Sequence, residues 1–301
     1  MSRLIAAETP TKLLTTEFGR VVHRDPLWAR ALLIGTASLF VVVLVLVPLV
    51  YVFVEALSKG VPVFWQAINH PDAMAAFRLT AFSATVAVAL NLLFGLAASW
   101  AITKFSFRGK SFIVTLIDLP FSVSPVIAGL VFVLLFGAQG WFGTWLQQHE
   151  IKIIFAWPSI LLATIFVTFP FIARELMPVM EAQGHDEEEA AVTLGASGWQ
   201  TFWHVTLPNI RWALFYAVIL CSARAVGEFG AVSVVSGHIR GQTNTAPLHI
   251  ELLYNEYATA AAFSIAAILA LFALASLVLK ILAERWVQTD LYGDFFFRSK
   301  T

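Results

Sequence analysis

Charged residues are scarce in this sequence, and cysteine is almost absent. Only 13% of the 301 residues are Asp, Glu, Lys or Arg, and 59% are hydrophobic. Soluble chains average about 25% charged and about 45–50% apolar residues, so this composition argues against a water-soluble domain. The single cysteine, Cys221, cannot close an intramolecular disulfide and has no companions for a metal site. We expect it to be a small buried hydrophobic residue.

The sequence also lacks the patterns of nucleic-acid binding, metal binding and nucleotide hydrolysis. Nineteen basic residues balance nineteen acidic ones, so no nucleic-acid partner is expected. The seven histidines include no pair at the i, i+4 spacing of a metal-binding helix. Gly109, Lys110 and Ser111 have the ending of a P-loop, but Lys104 occupies the position of its first glycine. We therefore expect no catalytic residue, metal or cofactor on this chain.

Long apolar stretches are what the sequence has instead. A helix needs about 20 apolar residues to cross a bilayer core. Four uncharged stretches are long enough, at 31–54, 79–103, 153–173 and 257–279. Two further stretches are interrupted: 111–137 by Asp118, Pro120 and Pro125, and 212–235 by Arg224 and Glu228. Membrane helices tolerate proline, and charges at such depth face a bundle interior or an aqueous path, so both stretches are interpreted as spans.

These stretches predict an all-α, polytopic membrane protein with six transmembrane helices. The predicted spans cover about 31–55, 79–103, 115–137, 153–173, 212–235 and 257–280. They form a transmembrane domain at 31–285, between an N-terminal segment at 1–30 and a C-terminal tail at 286–301. The first part of 111–137 is expected to lead in at the membrane interface.

The placement of the basic residues predicts the orientation. With six spans both termini share a side, and most of the nineteen basic residues fall on that side. They are Arg3, Lys12, Arg20, Arg24, Arg30, Lys104, Arg108, Lys110, Arg174, Arg211, Lys280, Arg285, Arg298 and Lys300. By the positive-inside rule both termini are cytoplasmic.

One long cytoplasmic loop, 174–211, has a pattern of its own. Asp186 to Glu189 are acidic, as the N-terminus of a helix prefers, and Gly195 can cap its C-terminus, so a helix is predicted at 186–194. Ser197 can cap a second helix, and Pro208 is expected to redirect the chain into the next span. The stretch 190–210 is long and uncharged but rich in polar residues, so it is interpreted as helix, turn and helix outside the bilayer. Such a hairpin suits docking into a groove on another protein.

This loop resembles the EAA loop of ABC importer permeases. The resemblance rests on Glu189, Ala190, Ala191, Gly195, Val205, Leu207 and Pro208, with Val205 where the pattern prefers Ile. It implies that the loop is a coupling helix that inserts into a cleft on an ATPase subunit. Glu189, Ala190, Ala191, Gly195, Leu207 and Pro208 would then be the residues that couple the chain to the ATPase. The alternative is an interfacial helix pair that only ties two spans together.

A second resemblance extends over most of the chain. The residues from Ala223 to Gly237, then 239–241 and 247–253, are similar to sulfate/thiosulfate permeases, and 157–175 agrees with the W-type subunit of that group. The resemblance implies a type I ABC importer permease fold in a bacterial inner membrane. It also implies a heterodimer with a T-type permease, a dimer of ATPase subunits that binds ATP and Mg, and a periplasmic sulfate/thiosulfate-binding protein.

Arg224 and Glu228 are four residues apart, so on one helix they would share a face and neutralise each other. A charge pair at membrane depth is also costly and tends to mark a pathway or gate. The two interpretations carry equal weight. Direct attraction of an anion by Arg224 is less favoured, because a permanently exposed cation would retain a dianion.

Three alternatives remain open from the sequence. A related permease for molybdate or tungstate would have the same architecture, because these are tetrahedral dianions of similar size. An ion-coupled secondary transporter would need intramembrane carboxylates, for which only Asp118 and Glu228 are candidates. A membrane scaffold would tolerate substitutions throughout the cytoplasmic loop.

Overall fold

The structure is a computed structural model that describes the backbone of residues 26–298 and the side chains from Trp28 to Leu282. All regular secondary structure in this part of the chain is helical. The helices are α1 (Leu27–Val41), α2 (Val47–Ala56), α3 (Val61–Ile68), α4 (Pro71–Lys104), α5 (Lys110–Ser122), α6 (Pro125–Phe136), α7 (Gly143–Gln148), α8 (Trp157–Gln183), α9 (Asp186–Thr193), α10 (Gly198–Thr201), α11 (Leu207–Val226), α12 (Gly230–Val235), α13 (Ala246–Asn255) and α14 (Thr259–Arg298).

Five helical segments of the described residues are long and apolar enough to cross a membrane, and a bent pair raises the number to six. The five are Trp28–Ala56, Pro71–Lys104, Trp157–Gln183, Gly198–Val226 and Thr259–Leu282, and the pair is α5 with α6. These segments confirm the predicted all-α, polytopic architecture.

Several spans are longer than predicted because helices continue past the charges that bound the apolar stretches. Helix α4 begins at Pro71, and α8 continues to Gln183, so the first part of the predicted loop 174–211 is helical. Arg, Lys and Glu are good helix formers and do not end a helix by themselves. Helix α14 continues to Arg298, through most of the predicted tail 286–301. Residues 1–25 of the predicted N-terminal segment, and residues 299–301, lie outside the described residues.

The prediction of one helix over 111–137 is wrong. Helices α5 and α6 meet at an angle of 106°. Pro125 begins α6, and the residue before it, Ser124, is extended with φ −58° and ψ 133°. A proline disfavours the helical conformation of the preceding residue, which accounts for the break.

The prediction of one helix over 212–235 is also wrong. Helix α11 ends at Val226, and α12 begins at Gly230. The carboxylate of Glu228, in the break, accepts a hydrogen bond from the backbone N–H of Ala231 at 3.0 Å. This bond satisfies a donor at the start of α12 and so stabilises the break.

Pro208 does not redirect the chain, contrary to prediction. A π-helical turn, Phe202–Thr206, joins α10 to α11, and the helical path from Gly198 to Val226 continues through the proline. A second π turn, Val42–Leu46, joins α1 to α2 directly before Pro48. The wider π turn relieves the clash that a proline ring makes with the preceding helical turn.

The described residues up to Pro48 and those from Leu49 onward form separate compact units. In the first unit no side chain from Trp28 to Pro48 is buried, and an apolar helix of this kind is typical of a lipid-facing span. In the second unit α4, α8 and α11 share an apolar core that includes Ile172, Ile210 and Cys221. Cys221 is fully buried, as predicted. Asn91 of α4 donates a hydrogen bond to the Oγ1 of Thr168 in α8 at 2.8 Å.

Candidate functional site

Helix α9 and the turn after it form the first candidate site. Four acidic residues occupy the first turn of α9, where they interact favourably with the helix dipole. At its end Gly195 has φ +93°, Gly195 N–H bonds Val192 O at 2.9 Å, and Ala196 N–H bonds Ala191 O at 3.0 Å. These bonds form a Schellman motif, which needs a left-handed residue at the position of Gly195. The structure confirms the predicted helix and its glycine cap.

The next helix begins with a capping box. The Oγ of Ser197 accepts the N–H of Gln200, and the Gln200 side chain accepts the N–H of Ser197 at 2.8 Å. This confirms Ser197 as the N-cap and makes α9, the turn and α10 a rigid helical hairpin.

The hairpin exposes apolar side chains. Leu194 is 88% exposed, and Val192, Trp199 and Trp203 are also exposed. Trp199 and Trp203 lie at the start of the candidate span Gly198–Val226, whereas Val192 and Leu194 precede it, and exposed apolar groups outside a lipid-facing helix are typical of a protein interaction surface. We call these four residues, together with Glu189 and Ala190, the hairpin surface.

The structure separates the six predicted coupling residues into two groups. Glu189, Ala190 and Gly195 are exposed, and Ala191 is partly buried, all on or beside α9. Leu207 and Pro208 instead belong to the first turn of α11, where Leu207 packs against the apolar core. Leu207 therefore connects the hairpin to the span and lies away from the hairpin surface.

Sequence reasoning missed the polar contacts that hold α9 in place. The Oε2 of Glu188 lies 3.0 Å from the Nζ of Lys104, and its Oε1 accepts a hydrogen bond from Thr206 at 2.6 Å. The Nζ of Lys104 also donates to Gly184 O at 2.6 Å, and Glu187 accepts a hydrogen bond from Asn209. Lys104 and Glu188 are far apart in sequence, so no local pattern could have paired them.

A pocket of about 490 Å³ lies beside these contacts. Trp100 and Lys104 of α4, Glu188 and Val192 of α9, and Thr206 line part of it.

Arg224 and Glu228 form the second candidate site. The Nη1 of Arg224 lies 2.6 Å from the Oε2 of Glu228, whose side chain is 1% exposed, while that of Arg224 is 32% exposed. One helix does not carry both residues, contrary to prediction, because α11 ends at Val226. The carboxylate accepts a hydrogen bond from Ala231 N–H through Oε1 and is ion-paired with the guanidinium through Oε2, which makes no hydrogen bond.

The break that holds Glu228 lies beside the break between α5 and α6. A Cβ atom on Gly230 would lie 3.1 Å from the Cβ of Pro125, and one on Gly129 would lie 2.8 Å from the carbonyl oxygen of Ala231. Helices α6 and α12 thus approach backbone to backbone. Two short helices that begin side by side are a suitable place for a movement that leaves the long spans intact.

The structure offers no obvious metal site in the described residues. No three His, Cys, Asp or Glu side chains gather there in a way that could hold an ion.

Comparison with known proteins identifies the family. The family described as the binding-protein-dependent transport system inner membrane component matches residues 91–288, which include both candidate sites. The chain belongs to this family. The sulfate transport system permease protein CysW of Escherichia coli K12 is 51% identical over 88% of the chain and 91% of that protein. The CysT permease of the same strain is 37% identical over 78% of the chain and 85% of that protein.

Solved structures of transport permeases share the fold. A chain of a bacterial ABC transporter that imports alginate has a TM-score of 0.71 at 15% identity, covering 87% of this chain and 95% of its own. A chain of an alginate transporter in complex with its substrate-loaded periplasmic protein has a TM-score of 0.67 at 16% identity, covering 85% and 92%. These structures confirm the ABC importer permease fold, and the 51% identity to CysW confirms the resemblance to the W-type sulfate permeases.

Proposed function

We propose that this permease moves sulfate, and also thiosulfate, into the cytoplasm as one subunit of an ATP-driven importer. The observation that carries the proposal is the 51% identity to a sulfate permease over 88% of the chain. Transport would proceed by alternating access, in which the pathway opens to one side of the membrane at a time. The chain supplies the pathway, and ATP is hydrolysed on a partner.

The permease would work with three kinds of partner. Similarity to both CysW and CysT supports a heterodimer of this chain with a T-type permease. A periplasmic sulfate/thiosulfate-binding protein would deliver the anion, as the family description and the alginate complex suggest. A dimer of ATPase subunits would bind ATP and Mg on the cytoplasmic side. Both termini of this chain would lie on that side, with α9.

The hairpin surface is the proposed contact with the ATPase. Leu194, directly after α9, is almost wholly exposed, and Glu189 on the same helix is exposed as well. An apolar side chain can fill a cleft on a partner, and a charged side chain at the edge of the contact can fix the position in which the two proteins dock. The Schellman and capping-box bonds at either end of the turn keep the hairpin rigid enough to transmit force.

Arg224 and Glu228 are the proposed gate. Glu228 is ion-paired with Arg224 and hydrogen-bonded to Ala231, and Arg224 is partly exposed, so the pair stabilises the break between α11 and α12 while one charge reaches the surface. Movement of the short helices α6 and α12 would open or close the pathway beside it. Because its charge is balanced by Glu228, Arg224 would not retain a passing dianion.

The deciding experiment is uptake of radiolabelled sulfate by proteoliposomes that contain the complete complex and the binding protein. We expect ATP-dependent uptake that thiosulfate inhibits and molybdate and tungstate do not. Stronger inhibition by molybdate than by thiosulfate would overturn the sulfate assignment. Uptake that persists with an ATPase subunit unable to hydrolyse ATP would favour ion-coupled transport instead.

A further inference from the structure

Helix α9 lies on the transmembrane bundle without an apolar anchor of its own. None of its residues, Asp186–Thr193, is buried. A helix held in a protein normally buries an apolar face, which provides most of its stability. A movement of α9 must therefore be transmitted to the spans through the chain segments on either side of α9 and through its polar contacts.

Two of these polar contacts meet at Glu188. Its Oε1 accepts a hydrogen bond from Thr206, the last residue of the π turn before α11, and its Oε2 is paired with Lys104, the last residue of α4. The side chains of Lys104 and Glu188 are only 6% and 16% exposed, so salt screens this pair much less than a surface pair. Lys104 also holds Gly184 O, between α8 and α9.

In the part of α4 that precedes Lys104, several close contacts join α4 to α8. Asn91 binds Thr168, and the Oγ of Ser99 lies 3.4 Å from Ala173 O. A Cβ atom on Gly95 would lie 2.7 Å from the Cβ of Ile172, so the two backbones are in close contact. A displacement of the cytoplasmic end of α4 would therefore carry α8 with it.

We propose that Lys104 is a positioning residue for transport, and that its ion pair with Glu188 transmits the movement of α9 to the α4–α8 pair. This inference rests on the proposed coupling role of α9. A pocket of about 490 Å³ lies beside the pair, so few packing contacts there could replace the ion pair. Without Lys104, α9 would still move with its partner, but α4 would not follow it fully.

The test measures the number of sulfate ions imported per ATP hydrolysed, in proteoliposomes with the assembled complex. A merely structural role would lower the amount of complex and leave this ratio unchanged. We expect Lys104→Met to lower the ratio about fivefold, within the range for substitutions in a coupling network. Lys104→Arg, which keeps the charge and donors, should retain most of it. Arg108→Met is the matched control, because Arg108 is an exposed cation near the same membrane face.

A double-mutant cycle identifies the partner. Glu188→Gln keeps an acceptor for Thr206 and removes the charge, so it should lower the ratio as Lys104→Met does. The double variant should be no worse than either single variant, because both remove the same link. A normal ratio in Lys104→Met, a loss in Lys104→Arg as large as in Lys104→Met, or independent effects in the double variant would overturn the proposal. If Lys104→Met does not assemble, the ratios of Glu188→Gln and Lys104→Arg decide by the same criteria.

A further variant separates this inference from the proposed function. Gly195→Trp alters the hairpin surface without touching Lys104. If Gly195→Trp abolishes uptake and Lys104→Met leaves the ratio normal, the role of Lys104 fails and coupling through α9 stands. If Gly195→Trp leaves uptake normal and Lys104→Met leaves the ratio normal, the coupling role of α9 fails as well.

Discussion

The guanidinium of Arg224 and the carboxylate of Glu228 are 2.6 Å apart, and α11 ends between them. The carboxylate also accepts a hydrogen bond from Ala231, so it joins the end of one helix to the start of the next. Exchanging the two side chains would put a guanidinium at position 228, and a guanidinium cannot accept the Ala231 bond. A charge swap is therefore a poor test of this pair.

A neutral pair tests it better. We expect Arg224→Met alone to reduce uptake strongly, because it leaves the buried carboxylate of Glu228 without its counter-charge. Removing one partner of a buried ion pair lowers the stability of the fold by about 3–5 kcal/mol. The double variant Arg224→Met with Glu228→Gln should recover part of the uptake, because the glutamine still accepts from Ala231 and carries no charge. Uptake is measured per molecule of protein in the membrane. Failure of the double variant to recover any uptake would indicate that the Arg224 cation acts directly in the pathway.

Gly195 offers a second test, because its backbone conformation restricts which residues can replace it, whereas its surroundings leave room for a side chain. Its φ is +93°, and a Cβ atom would meet nothing within 4 Å. Gly195→Asn should therefore retain most transport, since asparagine tolerates the left-handed region, whereas Gly195→Val should lose the Schellman turn and uptake with it.

Gly195→Trp should abolish uptake and ATPase stimulation while the protein still inserts, because the indole would project at the hairpin surface. Gly109→Trp is the matched control: Gly109 has φ +94° and equally open surroundings in another loop. Normal sulfate uptake by a well-expressed Gly195→Trp variant would contradict the coupling role of this turn.

The local chemistry of caps explains which parts of the fold were predictable. Helix α9, Gly195 and Ser197 were predicted correctly because each cap is formed by residues adjacent in sequence. The breaks at Ser124 and Glu228 were missed because prolines and charges within apolar stretches are compatible with an unbroken span. The contacts that stabilise these breaks, the bond from Ala231 N–H to Glu228 and the close approach of α6 and α12, cannot be inferred from the apolar pattern. The pairing of Lys104 with Glu188 joins distant segments and depends wholly on the tertiary fold.

The close approach of α6 and α12 predicts a sensitive glycine. Gly129→Ala would place a Cβ atom 2.8 Å from Ala231 O and 2.9 Å from the Cβ of Val234. Backbone atoms cannot move aside as a flexible side chain does. We therefore expect the free energy of unfolding to fall by about 1–3 kcal/mol and the melting temperature in detergent to be lower. Gly35→Ala is the control, because nothing lies within 4 Å of its added Cβ. Equal melting temperatures for the two variants would show that α6 and α12 are not tightly packed.

His249 predicts a pH dependence of stability. It lies in α13, outside the candidate spans, and is 3% exposed with its Nδ1 buried and unbonded. Burial lowers the pKa of His249 from 6.5; Arg240 and His70 lower this pKa further, and Asp72 opposes the shift. The unfolded chain therefore binds more protons than the folded chain between the lowered pKa and 6.5. The free energy of unfolding should consequently rise with pH through that window and level off above it.

The measurement is the melting temperature of the purified protein across that pH range. His249→Gln should flatten the rise, because glutamine stays neutral at every pH, and it should stabilise the protein most, relative to the parent, at the acidic end. His149→Gln is the control, since His149 is exposed and its removal leaves the buried imidazole in place. An unchanged slope in His249→Gln would show that the imidazole is not desolvated in the folded protein.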